Sequence, residues 1–544
     1  MNQFDYIIVG AGSAGCVVAN RLSQNPDVTV CLVEAGGDGE SPWVNIPAGI
    51  FGLYGNKTYD YSFVSVPQQH LRNRLMNVNR GKALGGSSAI NSMVYIRGNK
   101  QDYDGWSELG CTGWSYDDVL PVFKKMEANQ NDQNPEYHGF SGELNVTQPQ
   151  DPNVVAKVFV KAGQAAGLAP NVDFNSHSQL GLGIYDVKQQ VGQRVSSYTA
   201  FVKPIRHRSN LTIMTHTQAL KLRIDGNRVT GLDVEKAGSL KLLTCDKEVI
   251  LCGGTILSPQ LLLASGIGDR DELNSVGIPC NHHVPGVGKN LQDHIDSMVT
   301  VRSSKPDTIG LSIKTLLPHV VPAPFKYYLA RKGWWTTNYV EAGGFAKTKM
   351  ALAATPGSLD AQPDVQFHFT PLYRSHRGKK FEWGHGYSVF SCVLRPRSTG
   401  SVKLICEGGQ LKVAIDFNFF ADEYDQKVLV EAVKTARLIL ASPEFDHLRG
   451  EEMAPGVNVQ SDQAILDYLR HSASTVYHPV GTCKMGVDNM AVVHPETLKV
   501  KGMHNLRVMD ASVMPRITSG NTSAPTMMIA EKGAIMVLEE QRLF

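Results

Sequence analysis

The chain has 544 residues, 42% of them hydrophobic and 19% charged, enough for two or three domains' worth of core in an ordinary soluble globular protein. A net charge of +2 and the lack of a long basic run give no electrostatic reason to expect nucleic acid as a partner. Nine scattered cysteines without a CxxC pair argue against a disulfide framework or a zinc site, so no metal is expected and a reducing compartment fits.

The first strong signal is at the N-terminus. Met-Asn-Gln-Phe-Asp stands directly before an apolar strand, leaving no room for a signal peptide, and a cytoplasmic location is expected. The strand Tyr6-Ile7-Ile8-Val9 runs into Gly10-Ala11-Gly12-Ser13-Ala14-Gly15, a small-residue helix is expected over residues 14–22, and a second strand over residues 28–33 ends at Glu34 and Ala35. Gly10 permits the turn, Gly12 lets backbone approach a diphosphate, and Gly15 lets the helix pack on the strand. The diphosphate then meets free N–H groups of Ser13 and Ala14 at a helix N-terminus. Glu34 is placed to hold both ribose hydroxyls and repel a 2′-phosphate, which selects FAD or NAD. The alternative is an ordinary βαβ crossover with a glycine turn.

Residues 42–55, rich in Gly and Pro, read as loop. Arg80-Gly81-Lys82-Ala83-Leu84-Gly85-Gly86-Ser87-Ser88-Ala89-Ile90-Asn91 has too many small residues for a core strand. It reads as backbone in close approach to a ligand, because apolar Met93-Val94-Tyr95-Ile96 adjoins it; a surface Gly/Ser loop is the other reading. Helical patterning spans residues 116–126 and 153–166, and short strands follow at 211–214, 219–224, 229–235 and 247–251. Ser258-Pro259-Gln260 reads as a helix start.

From about residue 299 to 472 the pattern changes to alternating strands such as 365–369 and 387–391, accompanied by helices at 426–440 and 462–472. The expected architecture is α/β, α+β overall. A Rossmann-type domain of residues 1–298 with 473–544 carries an inserted domain, residues 299–472, built on an antiparallel or mixed sheet covered by helices. No apolar run reaches the ~18 residues that span a bilayer. The nearest, residues 316–325, is broken by three prolines and leads into Tyr327, Tyr328, Trp334 and Trp335 with Lys326, Arg331 and Lys332 among them. A buried loop beside an aromatic core helix is the expected reading; a lid or a peripheral contact with a membrane face is the alternative.

The C-terminal stretch carries a second strong signal. Leu506-Arg507-Val508-Met509-Asp510-Ala511-Ser512 reads as a strand ending in an acid, and Asn521-Thr522-Ser523-Ala524-Pro525-Thr526 caps an apolar helix suited to an anion. Tyr477-His478-Pro479 fixes a histidine in backbone of little freedom, which suits a general base; a satisfied core histidine is the alternative.

Together, the Gly10–Gly15 turn with Glu34, residues 80–91, 253–268, Val287-Gly288-Lys289-Asn290-Leu291-Gln292-Asp293-His294, residues 478–486 and 510–525 resemble the glucose-methanol-choline (GMC) oxidoreductases, in family order and over nearly the whole length. Within the family the chain is similar to bacterial aliphatic alcohol dehydrogenases and choline dehydrogenases. The resemblance implies FAD, with His478 as the active-site base and Asn521 as its partner. It further places Asn91, Met93 and Val94 along the isoalloxazine, Gly86 among the cofactor-binding residues, Ala219 at the adenine, Asp510 and Ala511 near ribitol and phosphate, and Thr522 N–H at the flavin pyrimidine. Ile90 stands where some members tether FAD through histidine, so non-covalent FAD is expected. Glu341 matches a position where choline enzymes present a carboxylate to a trimethylammonium group; a carboxylate in a strand-end turn is the other reading. The expected reaction is oxidation of a primary, medium- to long-chain aliphatic alcohol to the aldehyde, with electrons passed to a quinone or similar acceptor. Choline dehydrogenase, an O2-using alcohol oxidase and a flavin-containing hydroxynitrile lyase are the alternatives.

Overall fold

The computed structural model describes residues 2–375, 380–381 and 383–542. Tyr6 to Val9 in the strand Gln3–Val9 are all buried and apolar, which requires cover on both faces and suits the centre of a parallel sheet. Val30–Val33 flanks it on one side and Ser239–Leu251 on the other, with Leu211–Met214 beyond Val30–Val33. Ser239–Leu251 is long enough to serve two further neighbours. Its first half pairs antiparallel with Arg228–Lys236, and its last three residues run parallel to Leu506–Val508. That pairing returns the C-terminal segment to the end of the sheet where the glycine turn lies. Helix Gly15–Leu22 packs on the C-terminal helix Ser523–Arg542, and a buried ion pair from Arg21 to Glu531, 2.7 Å, joins the two.

A second sheet is antiparallel, in the order Ala342–Ala346, Val365–Thr370, Gly386–Val393, Ile295–Ser303, Arg449–Ala454, with Ser474–Thr475 paired to the start of Ile295–Ser303. Strand periodicity gives it two faces. Phe367, Phe369 and Val389 join a core with Val428, Leu429, Ala432 and Val433 of helix Glu423–Leu440, whereas His368, Thr370, Ser388 and Phe390 face a cavity shared with the first sheet. Helix Val154–Ala162 also packs on this sheet, so the covering helices come from both the first segment and the inserted one.

Several stretches differ from the sequence expectation. Residues 42–55 are not loop: Pro42–Asn45 is a helical turn capped by Ser41, and Pro47–Gly52 is 3₁₀. Helix Lys100–Glu108 is too polar for periodicity to reveal. It is set by an Asn99/Asp102 capping box and by burial of Tyr103 and Trp106. Helix Gly254–Ala264 begins four residues ahead of Ser258, placing Pro259 inside it. Pro259 has no N–H for the Thr255 carbonyl, and the Thr482 hydroxyl donates to that carbonyl instead, at 2.6 Å. Residues 313–330 are helical rather than a buried loop, as Ile313–Thr315, a π-turn over Leu316–Val320, and Ala323–Ala330. Pro322 and Pro324 fall at the cap and first turn of the last helix, where proline is tolerated.

Candidate active site

Glycine geometry shapes one end of the cavity. A Cβ on Gly15 would lie 1.9 Å from the Gly10 carbonyl oxygen, so helix and strand approach that closely only with glycine at 15. A Cβ on Gly12, which lines the cavity, would meet only the Cys252 carbonyl oxygen and Gly86 Cα, each at 4.0 Å, so protein packing alone does not require glycine there. No side chain caps the helix that follows, which leaves its first N–H groups for an anion. Glu34 closes this end. Its Oε2 accepts the Ala11 N–H at 3.0 Å and its Oε1 the Gly36 N–H at 2.8 Å, leaving one lone pair on each oxygen for a diol. Burial pushes the carboxyl up to about 7.

The cavity, about 1010 Å³, is at the upper end of ligand-pocket size and has room for a dinucleotide and a substrate together. Of the residues expected at the cofactor, Gly10, Gly12, Ser13, Ala14, Glu34 and Ala35 line the end of the cavity beside the glycine turn. Gly86, Asn91, Met93 and Val94 line the middle, and Ala219 also reaches the wall. Asp510, Ala511 and Thr522 complete it from the C-terminal segment. Gly15 does not line the cavity; its role is in packing. Asp510 is already saturated: its Oδ2 accepts from Gly254 N–H and the Ser258 hydroxyl, its Oδ1 from Ser512 N–H and hydroxyl. It therefore clamps the wall. Ile90 is buried against Val44 and Leu53, outside the cavity wall.

His478 and Asn521 meet here although they come from separate turns. Asn521 Nδ2 lies 3.1 Å from His478 Nε2, and Asn521 Oδ1 accepts from Gln366 Nε2 at 3.1 Å. The backbone before the histidine is held firmly: Tyr477 has φ +65°, Arg80 Nη1 donates to its carbonyl at 2.9 Å, and Asp293 accepts the His478 N–H at 2.9 Å. A non-glycine residue in this region is strained by about 1–3 kcal/mol, as is Met93 at φ +62°.

A second histidine fixes the tautomer. His294 Nε2 is 3.0 Å from the Leu394 carbonyl and must donate to it, so neutral His294 carries a bare Nδ1. That nitrogen sits 3.1 Å from His478 Nδ1, which must then hold the proton. His478 Nε2 is left unprotonated, its lone pair accepting from Asn521 Nδ2. Burial pulls His294 down to about 3 and His368 down to about 4, and burial, then His294, holds His478 well below the ordinary imidazole range. All three stay neutral through the physiological range.

Sequence reasoning missed the roles of His294, His368 and Lys188. His294 stands in the quoted 287–294 block, but its contact lies 184 residues away in the chain. A polar His368 in an apolar strand was a readable signal; its Nε2 is buried without a protein partner on the cavity wall. Lys188 is 1% exposed, its Nζ donates to the Ser523 hydroxyl at 2.5 Å, and burial pulls it down to about 7. Glu341 is a correction. It is buried off the cavity wall, with Oε1 accepting from the Thr337 hydroxyl and Oε2 from the Asn153 N–H, so it presents no carboxylate to a bound cation.

Residues 4–296 and 396–530 match the GMC oxidoreductase family profiles. The chain is 41% identical to the "Alcohol dehydrogenase [acceptor]" of Pseudomonas putida, over 99% of this chain and 96% of that protein. It is 38% identical to the "Oxygen-dependent choline dehydrogenase" of Staphylococcus saprophyticus, over 98% and 95%. The crystal structure of pyridoxine 4-oxidase from Mesorbium loti superposes with a TM-score of 0.86 at 30% identity, covering 98% of this chain and 99% of that one. The cavity between the first and last segments, its glycine cradle and the full-length similarity lead to one assignment: this chain belongs to the GMC oxidoreductase family, whose members are FAD-dependent.

Proposed function

We propose that the protein oxidises primary aliphatic alcohols of medium to long chain to aldehydes, with His478 as general base, FAD held without a covalent bond, and a quinone-type acceptor for the electrons. The observation that carries this reading is the unprotonated His478 Nε2 paired at 3.1 Å with the Asn521 Nδ2 donor on the cavity wall, an acceptor and a donor that a single hydroxyl oxygen can engage together in place of their mutual bond. An aliphatic hydroxyl does not ionise near neutral pH, so its proton must leave as hydride leaves the carbon. His478 Nε2 takes that proton, and Asn521 Nδ2 donates to the oxygen as charge grows on it. Gln366, anchored through Asn521 Oδ1, keeps the amide oriented. When bound, FAD supplies the hydride acceptor, its N5.

An uncharged chain is supported by Phe51, Leu75, Tyr339, Val340, Leu372 and Phe390 on the wall, and by Glu341 being off it. A choline-type substrate is the second reading, favoured by Asp296, a buried carboxylate that does line the cavity. Turnover on octan-1-ol and on choline with a dye acceptor decides between them: the alcohol is expected to win, and a preference for choline refutes the chain-length assignment. Anaerobic bleaching near 450 nm by the alcohol is expected and excludes lyase chemistry (a flavin property, about that wavelength). Quinone reduction faster than O2 uptake is expected, and the reverse order overturns the acceptor assignment. Acid precipitation should leave the yellow colour in the supernatant; colour in the pellet refutes non-covalent binding.

A further inference from the structure

Residues 308–340 contain Lys314, Lys326, Arg331 and Lys332 and not one Asp or Glu. Within them the helical stretch Ile313–Ala330 has an inverted polarity. Ile313, Leu317, Val321, Phe325 and Leu329 recur at every fourth position and are 82%, 78%, 56%, 66% and 85% exposed. The opposite row, Thr315, Ala323 and Tyr327, is 1%, 3% and 1% exposed and anchors the stretch to the body. Tyr327 packs on Trp335 with ring centroids 5.9 Å apart, and His319 stacks on Trp334 at 4.8 Å, so the row is held in place from beneath. Scattered exposed apolar residues need no explanation, but a row of five with no acid among them does.

We propose that this row is a docking face for the surface of an anionic lipid bilayer, into which the five apolar side chains dip while Lys314, Lys326 and Lys332, all exposed, meet the headgroups. Charge decides the occupant. A second copy of this chain would bring the same cations to its twin, whereas an anionic headgroup layer complements them. No helix among the described residues is long and apolar enough to cross a membrane, so the contact is interfacial. Its position adds a consequence. Trp334–Thr336 packs on Pro47–Gly52, and Phe51 and Tyr339, rings 4.3 Å apart, both line the active-site cavity. Ile309 pairs with Leu372, also on that wall. The lipid-facing row and the cavity wall are thus one connected segment, which suits delivery of an amphiphile from the bilayer; this last step rests on the alcohol reading, whereas the docking does not.

The test is sedimentation of the FAD-loaded protein with vesicles of phosphatidylcholine alone and with roughly 30% phosphatidylglycerol. Binding to the anionic vesicles is expected, weakened by raising NaCl from about 0.1 to about 0.5 M. The triple variant Leu317→Glu, Phe325→Glu, Leu329→Glu should bind at least about 10-fold more weakly while keeping its flavin content and its dye-linked rate on a short, water-soluble alcohol. Equal binding by the variant, no binding by the parent protein, or a dimer that the triple variant dissociates in place of vesicle binding overturns the proposal. Should the triple variant misfold, Phe325→Ser with Leu329→Ser carries the same outcomes. Docking that holds while the long-chain alcohol fails as substrate would retain the surface and refute the substrate reading.

Discussion

Replacing His294 by Phe fills the ring's volume and removes the acceptor 3.1 Å from His478 Nδ1. The His478 N–H is then buried with no partner, a loss of about 1–3 kcal/mol, and the imidazole can escape it by moving its proton to Nε2. A proton there faces the cavity and blocks the lone pair that takes the hydroxyl proton. If that tautomer gains the whole difference, the competent fraction, and with it the rate of flavin reduction, falls by about 5- to 150-fold. The KM for alcohol should change little, because no His294 atom is asked to touch substrate. Anaerobic stopped-flow mixing with octan-1-ol, with the FAD-to-protein ratio checked first, reads the rate directly. His294→Gln, whose amide oxygen can accept in the same direction, should recover part of the loss. A His294→Phe enzyme that is reduced within about twofold of the parent, with the same pH profile, refutes the tautomer argument.

Three further outcomes follow from the geometry. Gly12→Ala should fold normally, since its Cβ meets no protein atom nearer than 4.0 Å, yet bind FAD at least about 10-fold more weakly in a reconstitution titration; unchanged affinity would show the diphosphate lies elsewhere. Because burial holds His478 well below its ordinary value, the rate of flavin reduction should stay level as pH falls through 6.5; a midpoint at 6.5 or above contradicts the buried, neutral base. Glu341 is pushed by burial up to about 7, so its contribution to stability is present below the unfolded value of about 4.5 and is lost as pH rises through 7. The stability of Glu341→Gln relative to the parent should therefore rise by about 2–3 kcal/mol between pH 5 and 8 in urea melts, with no gain in choline KM; a flat difference places the carboxylate in solvent.

The glycine turn at one end of the cavity was legible in the sequence because its geometry is local: Gly10 to Gly15 and Glu34 lie within one βαβ unit. His478 and Asn521 became legible only through the family resemblance, since a lone histidine beside a proline is more often a core residue. The His294–His478 pair was not, because a contact between residues 184 positions apart leaves no periodic trace. Pro259 illustrates a different limit: within Ser258-Pro259-Gln260 proline signals a helix start, whereas Thr482, 227 residues from Thr255, supplies the missing donor from elsewhere in the fold and lets the helix begin earlier. Residues 313–330 reverse the usual rule. Their four-residue apolar spacing was present in the sequence, but three prolines suggested a break, and nothing local could say that the apolar row faces outward.

The most direct test is anaerobic flavin reduction by octan-1-ol in His478→Ala with its FAD content matched to the parent. Loss of roughly 100-fold or more in rate, with FAD affinity retained, is predicted for the residue that takes the hydroxyl proton. Reduction at close to the parental rate would place proton removal on another group and contradict the account.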